Sequence, residues 1–373
     1  MTEQPVNQCS RVISEYPMAA VLDTKWTLAS PAKGRNSVPR GLLGAADAKG
    51  QITLYQLSNV MARNQSIQFK QLAAFTFNQC HALCLSLDWS DRRHQYPPAA
   101  AAQYQTLSDA SLIVSQSNGS LAYMPSLQAA ILGDSSRLPA KGQEEVELQD
   151  NSDEDEPANR DEAGKPPQWQ NMPVGLETWH AHDHEAWIAA FDAFSEGQIV
   201  WSGGDDLALK GWDMRTPIRR GRRDTTFTNR RSFDGGITTM QSHWNRQNSW
   251  AVGSYDSGLR LIDARMPLRP ISTLELPGGI WRLKWHPSDP DLLLAGCMYG
   301  GFTVVKVTAD GTDPEVVSTF ENHDSLAYGC DWDRGEKESV QNLAREHDST
   351  SRELGSLIYS CSFYDRKLRA WIG

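Results

Sequence analysis

The 373-residue sequence is poor in cysteine and contains none of the cysteine spacings that typically bind zinc or form a disulfide framework. The six cysteines include no C-x-x-C pair. Cys80 and Cys84 flank His81, so a metal site there is one interpretation, but thiols buried on strands are the favoured one. We therefore predict no metal site.

Long apolar runs are absent as well. No segment approaches the length of a membrane span, and residues 1–18 lack the apolar stretch of a signal peptide. From these two absences we expect a soluble, reduced, cytoplasmic protein with no membrane partner.

Basic residues are fewer than acidic residues. Acidic residues number 46 against 36 basic residues, so the net charge is −10 and no nucleic-acid partner is expected. One stretch, the arginine-rich segment at 215–231, reverses this sign with seven arginines. The favoured interpretation is a solvated connection on the opposite face or outer edge of the fold. Contact with RNA or with an acidic protein surface is the alternative.

Aromatic residues and glycines are plentiful, with 13 tryptophans and 28 glycines, which fill cores and form turns in repetitive β-folds. A unit of three strands recurs six times, and most of its first strands alternate apolar and polar residues. The predicted first strands span 20–26, 83–89, 188–194, 238–244, 281–285 and 326–332. The second and third strands follow within 41–57, 111–125, 198–213, 249–265, 292–307 and 357–372.

This unit resembles the blade of WD-repeat proteins, and the Gly-Trp-Asp run at 211–213 matches the ending that names them. We predict an all-β fold, a WD-repeat β-propeller with six discernible blades, as a single domain over 11–373. Residues 11–17 are the expected fourth strand of the last blade. Two insertions are expected, an acidic disordered loop at 141–168 and a polar insertion at 335–355 in the last blade.

In WD-repeat propellers the turn between the second and third strands lies on the same face as the connection into the next blade. The last four blades should therefore form a polar and aromatic rim on one face. The expected rim residues are His182, His184, Glu185, Trp187, Asp205, Asp206, Tyr255, Asp256, Trp281, Arg282, His323, Asp324, Tyr328, Tyr364 and Asp365. Each also has a structural alternative, because Asp caps turns, Asp and His form hydrogen-bond networks in such blades, and tryptophans pack between blades.

Zinc binding and nucleophilic catalysis are two further possible functions of this rim. The run at 180–185 holds three histidines and a glutamate, so zinc ligation is an alternative, although ligands so close along one strand rarely surround a tetrahedral ion. No G-x-S-x-G motif is present. A nucleophile would therefore be Ser254, Ser362 or Cys361, or a histidine would activate water directly.

Runs in the last four blades, including "HDHEAWIAAFDAF", "GSYDSGLRLIDAR" and "CSFYDRKLRAWI", closely resemble the diphthine methyl ester hydrolase family. The matching runs cover about residues 176–373, and the family is expected to have seven blades. The resemblance implies hydrolysis of the methyl ester of methylated diphthine on translation elongation factor 2, before the final amidation to diphthamide and without a cofactor. The resemblance also implies two kinds of partner, namely translation elongation factor 2 and other proteins of the diphthamide pathway.

Ester hydrolysis needs an activated water and donors for the oxyanion. We hypothesise that His182 or His323 is the base and that Arg282, with backbone N–H groups at 277–280, stabilises the oxyanion. The trimethylammonium group of diphthine suits an aromatic and acidic lining. That lining is assigned to Glu185, Trp187, Asp205, Asp206, Tyr255, Asp256, Trp281, Tyr328, Tyr364 and Asp365. The rival hypothesis is a non-enzymatic WD-repeat scaffold that docks protein partners on the same rim.

Overall fold

The computed structural model describes residues 18–27, 42–58, 68–77, 82–95, 109–133, 172–334, 355–365 and 367–373. These residues form six antiparallel sheets in chain order, which confirms the predicted all-β propeller with six blades. The expected strand at 11–17, the acidic loop at 141–168 and all but the last residue of the insertion at 335–355 lie outside the described residues.

Each blade is a meander of consecutive strands. The first contains β1 (Val21–Thr27), β2 (Leu42–Asp47), β3 (Gln51–Ser58) and β4 (Gln68–Thr76). The second contains β5 (Cys84–Trp89), β6 (Leu112–Gln116), β7 (Ser120–Met124) and β8 (Glu177–His180). The third contains β9 (Ile188–Phe191), β10 (Ile199–Gly203), β11 (Leu209–Asp213) and β12 (Thr225–Asn229).

The last three blades repeat this pattern. The fourth contains β13 (Ile237–Ser242), β14 (Ser249–Ser254), β15 (Gly258–Asp263) and β16 (Ser272–Glu275). The fifth contains β17 (Arg282–Trp285), β18 (Leu292–Gly296), β19 (Phe302–Lys306) and β20 (Glu315–Phe320). The sixth contains β21 (Ala327–Trp332), β22 (Leu357–Ser362) and β23 (Leu368–Ile372).

Every predicted first strand is present and begins within one residue of its expected start. Strand β9 is shorter than predicted, because Asp192 Oδ1 accepts a hydrogen bond from the Phe194 N–H at 2.8 Å and turns the chain out of the sheet. The outermost strands were not predicted individually. Strands β12 and β20 are mostly exposed, so they lack the apolar alternation that marks the inner strands.

The inner strands β1, β5, β9, β13, β17 and β21 contact one another in this order around the axis. Tryptophans at their ends connect neighbouring blades. Trp89 Nε1 donates a hydrogen bond to the Lys25 carbonyl at 3.1 Å, and Trp332 Nε1 donates to the Lys284 carbonyl at 2.8 Å. The aromatic residue that ends most predicted first strands therefore has a physical reason, since it packs against the preceding blade while its N–H satisfies that blade's backbone.

The first and sixth blades are separated by a cleft of about 360 Å³, which the sequence did not indicate. One helix, α1 (Leu127–Leu132), was also not predicted. The Ser126 hydroxyl accepts a hydrogen bond from the Ala129 N–H at 2.9 Å and caps its start, and Gly133, with φ 65°, ends it. No helix in the described part of the chain is long and apolar enough to cross a membrane.

Candidate active site

The two histidines predicted as bases lie inside their blades rather than on the rim surface. His182 Nδ1 contacts Asp206 Oδ1 at 2.8 Å, and its Nε2 contacts Ser202 Oγ at 2.7 Å. Trp212 Nε1 donates to the same hydroxyl at 2.8 Å. His182 is completely buried, so both ring nitrogens are engaged and neither faces water.

The sixth blade repeats this arrangement. His323 Nδ1 contacts Asp365 Oδ2 at 3.0 Å, and its Nε2 contacts Ser360 Oγ at 3.0 Å. Trp371 Nε1 donates to Ser360 Oγ at 3.1 Å. We call each set of four side chains a hairpin lock, because it ties the connection into a blade to that blade's second and third strands.

The charges in the first lock favour a structural role. Burial lowers the pKa of His182, so the imidazole is neutral. Burial would raise the pKa of Asp206, but the hydrogen bond from His182 and the Lys210 ammonium hold it well below its ordinary value. A neutral imidazole that donates to a carboxylate and accepts from a hydroxyl closes the turn. This fits the structural alternative for His182, and His323 has the same set of partners.

Asp256 in the fourth blade is held by an arginine instead of a histidine. Arg260 Nη2 donates to Asp256 Oδ2 at 2.7 Å, and the Ser254 hydroxyl donates to the same carboxylate. The Arg260 guanidinium lies 4.5 Å from the ring centre of Phe233. Asp256 therefore closes its own hairpin, and Ser254 is committed to that closure.

Three aromatic residues expected on the rim do meet there. The ring centres of Trp187 and Trp281 lie 5.7 Å apart, and each lies 6.1 Å from that of Tyr255. Trp187 precedes β9, Tyr255 follows β14 and Trp281 precedes β17. Three successive blades thus each contribute one ring to a single cluster, in which Tyr255 is 36% exposed.

The cluster continues toward the sixth blade. Trp281 stacks on Tyr328 at 5.6 Å, Tyr328 contacts Phe363 at 5.1 Å, and Phe363 contacts Tyr364 at 4.7 Å, all between ring centres. Phe363 and Tyr364 are exposed, whereas Tyr328 and Trp281 are half-buried. We call these six side chains, from Trp187 to Tyr364, the aromatic row.

Carboxylates flank the end of the aromatic row that contains Trp187 and Tyr255. Trp187 Nε1 donates a hydrogen bond to Asp205 Oδ1 at 3.1 Å. Burial raises the pKa of Tyr255 to about 12, and the nearby carboxylates of Asp205 and Glu185 contribute to the rise. Tyr255 is therefore a neutral phenol in an electronegative environment. Ring faces beside carboxylates suit a quaternary ammonium group.

Glycines allow the backbone to pack closely beneath the row. A Cβ atom on Gly236 would lie 2.4 Å from Asp205 Oδ1 and 3.2 Å from Cδ2 of Tyr255. A Cβ atom on Gly279 would lie 3.1 Å from the Tyr255 carbonyl oxygen. The first distance to oxygen is shorter than a Cβ atom allows, and the second would require a small shift of the Tyr255 backbone, so the glycines before β13 and β17 help to set the position of the row.

Arg282 faces the cleft between the first and sixth blades. Its Nη2 donates to the Leu22 carbonyl at 2.9 Å and lies 3.4 Å from Asp23 Oδ1. Burial would raise the pKa of Asp23, but Arg282 and Lys25 hold it below its ordinary value. Arg282 is therefore a fixed cation beside an ionised carboxylate, with its remaining guanidinium surface on the cleft.

Some of the backbone N–H groups near Arg282 already donate hydrogen bonds to other backbone carbonyls. The Ile280 N–H donates to the Ser254 carbonyl at 2.9 Å, and the Trp281 N–H donates to the Gly296 carbonyl at 2.7 Å. The first of these bonds joins blade five to blade four, and the second lies within blade five. Of the groups predicted to stabilise an oxyanion, Arg282 is the one that lines a cavity.

The cleft adjoins the aromatic row through one residue that belongs to both, Tyr328. Burial raises the pKa of Tyr328 although the Arg282 cation lowers it, so the phenol is neutral. Tyr328 contacts Trp281 of the row and lines the same cleft as Arg282. The cleft is lined by Val21, Leu22, Asp23, Thr24, Arg282, Lys284, Tyr328, Gly329, Cys330, Asp331, Tyr359, Ser360, Cys361 and Leu368.

The remaining candidates for covalent or metal chemistry are less suited. Cys361 lines the cleft, but burial raises its pKa and leaves a neutral thiol. His182, the middle histidine of the run at 180–185, is committed to its lock. Within the part of the chain that the structure describes, no three His, Cys, Asp or Glu side chains are grouped to hold a metal ion.

Sequence reasoning missed Phe363 and the cleft. Phe363 occupies the same turn as Tyr364, and including phenylalanine among the rim residues would have found it. The cleft had no local signal, because it is lined by β1 together with blades five and six, which are remote from β1 in sequence.

Six meandering blades, two of which have a hairpin closed by an Asp-His lock, define a β-propeller of the WD-repeat type. A chain in the crystal structure of the mitotic checkpoint complex shares this fold, with a TM-score of 0.57 and 14% sequence identity over 97% of this chain and 77% of that chain. At that identity the likeness concerns the fold alone. No protein-family model matches the sequence.

Sequence similarity to three curated proteins relates the chain to a more specific group within this class. Diphthine methyltransferase of Mus musculus is 32% identical over 320 residues, covering 84% of this chain and 53% of the mouse protein. The diphthine methyltransferase homolog of Dictyostelium discoideum is 38% identical over 211 residues, 52% of each chain. Diphthine methyltransferase of Saccharomyces cerevisiae is 29% identical over 218 residues, 51% of this chain and 49% of the yeast protein.

The chain is thus a relative of the diphthine methyltransferases, which confirms the resemblance seen in the sequence. It spans about half the length of the curated relatives it matches.

Proposed function

We propose that this protein hydrolyses the methyl ester of methylated diphthine on translation elongation factor 2, giving diphthine and methanol in the cytoplasm. The observation that carries the proposal is the aromatic row with its carboxylates, which shares Tyr328 with a cleft lined by Arg282. Relatives named diphthine methyltransferase support a substrate that contains diphthine.

The trimethylammonium group of the substrate lies against Trp187, Tyr255 and Trp281. A quaternary cation cannot donate a hydrogen bond, so ring faces and nearby carboxylates are the groups that recognise it. Asp205 and Glu185 supply the negative charge, as their effect on Tyr255 indicates. Each cation–π contact contributes about 0.5–2 kcal/mol, so several rings together select the cation over a neutral side chain.

The ester lies beside the cation, because both groups are attached to the same carbon atom of methylated diphthine. Binding the cation on Trp281 therefore directs the carbonyl group toward Tyr328 and Arg282 at the cleft. Water adds to the carbonyl carbon, and the guanidinium stabilises the negative charge that develops on the carbonyl oxygen. The bond between the acyl carbon and the methoxy oxygen breaks, and methoxide takes one proton of the water and leaves as methanol. The other proton passes to the solvent, and a carboxylate remains.

This chemistry does not require an accessible imidazole. The neighbouring ammonium group withdraws electrons from the ester carbonyl and makes it more reactive toward water. Hydrolysis also converts a cationic side chain into a zwitterion with no net charge. The attraction of Asp205 and Glu185 for the ligand then falls, which promotes product release.

The experiment is incubation with elongation factor 2 that carries methylated diphthine, followed by mass spectrometry of the modified peptide. The expected result is a mass decrease of one methylene together with release of methanol. In water labelled with heavy oxygen, the label should enter the carboxylate and not the methanol, because the water oxygen adds to the acyl carbon. Retained binding with no loss of methyl would overturn the proposal and favour the non-enzymatic scaffold.

A further inference from the structure

The proposed hydrolysis still needs a group that takes a proton from water. Water is a weak nucleophile, and a positioned base accelerates its addition to a carbonyl group by removing that proton. His182 and His323, the two bases predicted from the sequence, have both ring nitrogens engaged in their hairpin locks. A carboxylate in the cleft beside Arg282 is the alternative, and the described residues of the cleft lining provide two.

Asp23, the first of these carboxylates, is already saturated with partners. Its Oδ1 accepts a hydrogen bond from the Thr24 N–H at 3.0 Å and lies 3.4 Å from Arg282 Nη2. Its Oδ2 accepts from the Leu87 N–H at 3.1 Å and lies 3.4 Å from Lys25 Nζ. A carboxylate has about four lone-pair sites, so these partners leave none for a water molecule. Asp23 therefore positions Arg282 and does not act on water.

Asp331, the second carboxylate, keeps room for a water molecule. Its Oδ1 accepts a hydrogen bond from the Trp332 N–H at 2.9 Å, and its Oδ2 lies 3.3 Å from Lys284 Nζ. These two contacts leave about two of its lone-pair sites open. Its side chain is 46% exposed, whereas that of Asp23 is 7% exposed. The Asp331 carboxylate can therefore hold water at the wall of the cleft.

The contact with Lys284 places the Asp331 carboxylate near Arg282. Arg282 and Lys284 are alternate residues of β17, so their side chains extend from the same side of the strand, about 7 Å apart along it. Both line the cleft. A carbonyl group and a water about 3 Å apart, joined by hydrogen bonds to a guanidinium at one end and a carboxylate at the other, fit this separation.

A second cavity, of about 120 Å³, gives water a route to Asp331. The two cavities share Thr24, Lys284 and Asp331. Strand β1 lines the cleft from Val21 onward, and it lines the second cavity from Thr24 to Trp26. The second cavity therefore extends along this strand away from the rim. A protein substrate that covers the rim leaves this side open to water.

We propose that Asp331 is the general base of the ester hydrolysis, an inference that rests on the proposed function. The Asp331 carboxylate takes one proton from the water while the water oxygen forms its bond to the acyl carbon. When the bond between the acyl carbon and the methoxy oxygen breaks, Asp331 gives this proton to the methoxy oxygen, and methanol leaves. The second proton of the water passes to the solvent. The product is a carboxylate, and Asp331 is ionised again.

Asp331→Asn tests this role, because asparagine keeps the size and the acceptor for the Trp332 N–H but cannot take a proton from water. With methylated diphthine on elongation factor 2, we expect kcat to fall about 1,000-fold, while KM changes less than about two-fold. The Tm should be largely preserved, since the side chain is half exposed. In Asp331→Ala, added formate should restore kcat about ten-fold, because it supplies a carboxylate in the space left by the side chain.

Asp291→Asn is the matched control. The Asp291 side chain is also 46% exposed and pairs with one cation, Arg246, away from the cleft. This variant should keep a normal kcat and show no response to formate. In a protein that releases methanol, three results would overturn the role of Asp331 alone: more than a tenth of the kcat in Asp331→Asn, an equal loss in Asp291→Asn, or a folded Asp331→Ala that formate does not restore. An unmodified protein that releases no methanol would overturn the proposed function itself.

Discussion

The indole N–H of Trp187 donates a hydrogen bond to Asp205 Oδ1 at 3.1 Å, which connects the aromatic row to its main carboxylate. Trp187 precedes the third blade's first strand and Asp205 follows its second, so the bond spans the rim of one blade. Asp205 therefore does two things that can be separated, since its oxygen orients an indole while its charge attracts a cation.

Asp205→Asn keeps an oxygen acceptor for Trp187 and removes the charge. We expect kcat/KM for the methyl ester to fall about five-fold, mainly through a higher KM, because a quaternary cation loses one nearby carboxylate. The difference should shrink as salt is raised. Steady-state kinetics checks this, with Asp324→Asn as the control. Asp324 is an exposed rim carboxylate paired with Lys367, and an equal loss in both variants would contradict a local role.

Gly236→Ala tests whether close backbone packing positions the row. The new methyl group would lie 2.4 Å from Asp205 Oδ1, so either the carboxylate or the connection into blade four must move. We expect a fall in kcat/KM of about ten-fold with a small change in Tm, since the contact lies at the rim and not in the core. In the control Gly296→Ala, the nearest atom to the new methyl group is 3.4 Å away, and activity should persist.

The sequence allowed the repeats to be located because each inner strand is short, apolar and ends in an aromatic residue. It also placed Trp187, Tyr255 and Trp281 on one face, since blade geometry fixes where the turns lie. It could not separate structural polar residues from ligand-binding ones. His182 and Asp206 look the same in sequence whether they face solvent or each other, and burial alone distinguishes the two. The cleft depends on how the ring closes, which no local pattern specifies.

The substitution His182→Ala distinguishes a structural role of His182 in the hairpin lock from a catalytic role as a general base. Removing the imidazole leaves the buried Asp206 carboxylate and Ser202 hydroxyl without their main partner, which costs about 3 kcal/mol of stability. We therefore expect a clearly lower Tm but near-normal kcat for the folded enzyme assayed at low temperature. His323→Ala should behave in the same way. A loss of kcat of about a thousand-fold, without a change in Tm, would restore the base hypothesis.

His243 should make stability depend on pH. Burial lowers its pKa to about 4, although the hydrogen bond between Nε2 and the Pro290 carbonyl at 2.9 Å opposes the shift. Its Nδ1 accepts hydrogen bonds from the backbone N–H groups of Asn245 and Arg246. The unfolded chain binds a proton near pH 6.5, before the folded chain does. Stability is thus complete above about pH 6.5 and decreases by about 3 kcal/mol as the pH falls to about 4.

His243→Asn keeps an acceptor for the two backbone N–H groups and cannot take up a proton. We expect a lower Tm at pH 8, because the ring that packs 4.4 Å from Trp285 is lost, but a flatter decline of Tm from pH 6.5 to 4. Thermal unfolding across this range measures both effects. The exposed His180→Asn should retain the slope of the unmodified protein. Identical slopes in all three proteins would show that the acid sensitivity arises elsewhere.

The substitution Arg282→Lys tests whether the guanidinium stabilises the oxyanion in the transition state. Lysine retains the positive charge opposite Asp23, so the ion pair and the Tm should be largely preserved. It loses the planar fork, which holds one N–H on the Leu22 carbonyl while presenting others to the cleft. If Arg282 stabilises the oxyanion, kcat should fall about 100-fold with little change in KM, because an interaction made only in the transition state lowers kcat selectively.

The matched control for this change is Arg246→Lys, in which the arginine pairs with Asp291 away from the cleft. Its kcat should remain normal. A raised KM with normal kcat in Arg282→Lys would instead show that the guanidinium binds substrate and transition state equally. The carbonyl oxygen would then need another donor, and the neutral phenol of Tyr328, which borders both the row and the cleft, is the group to test next.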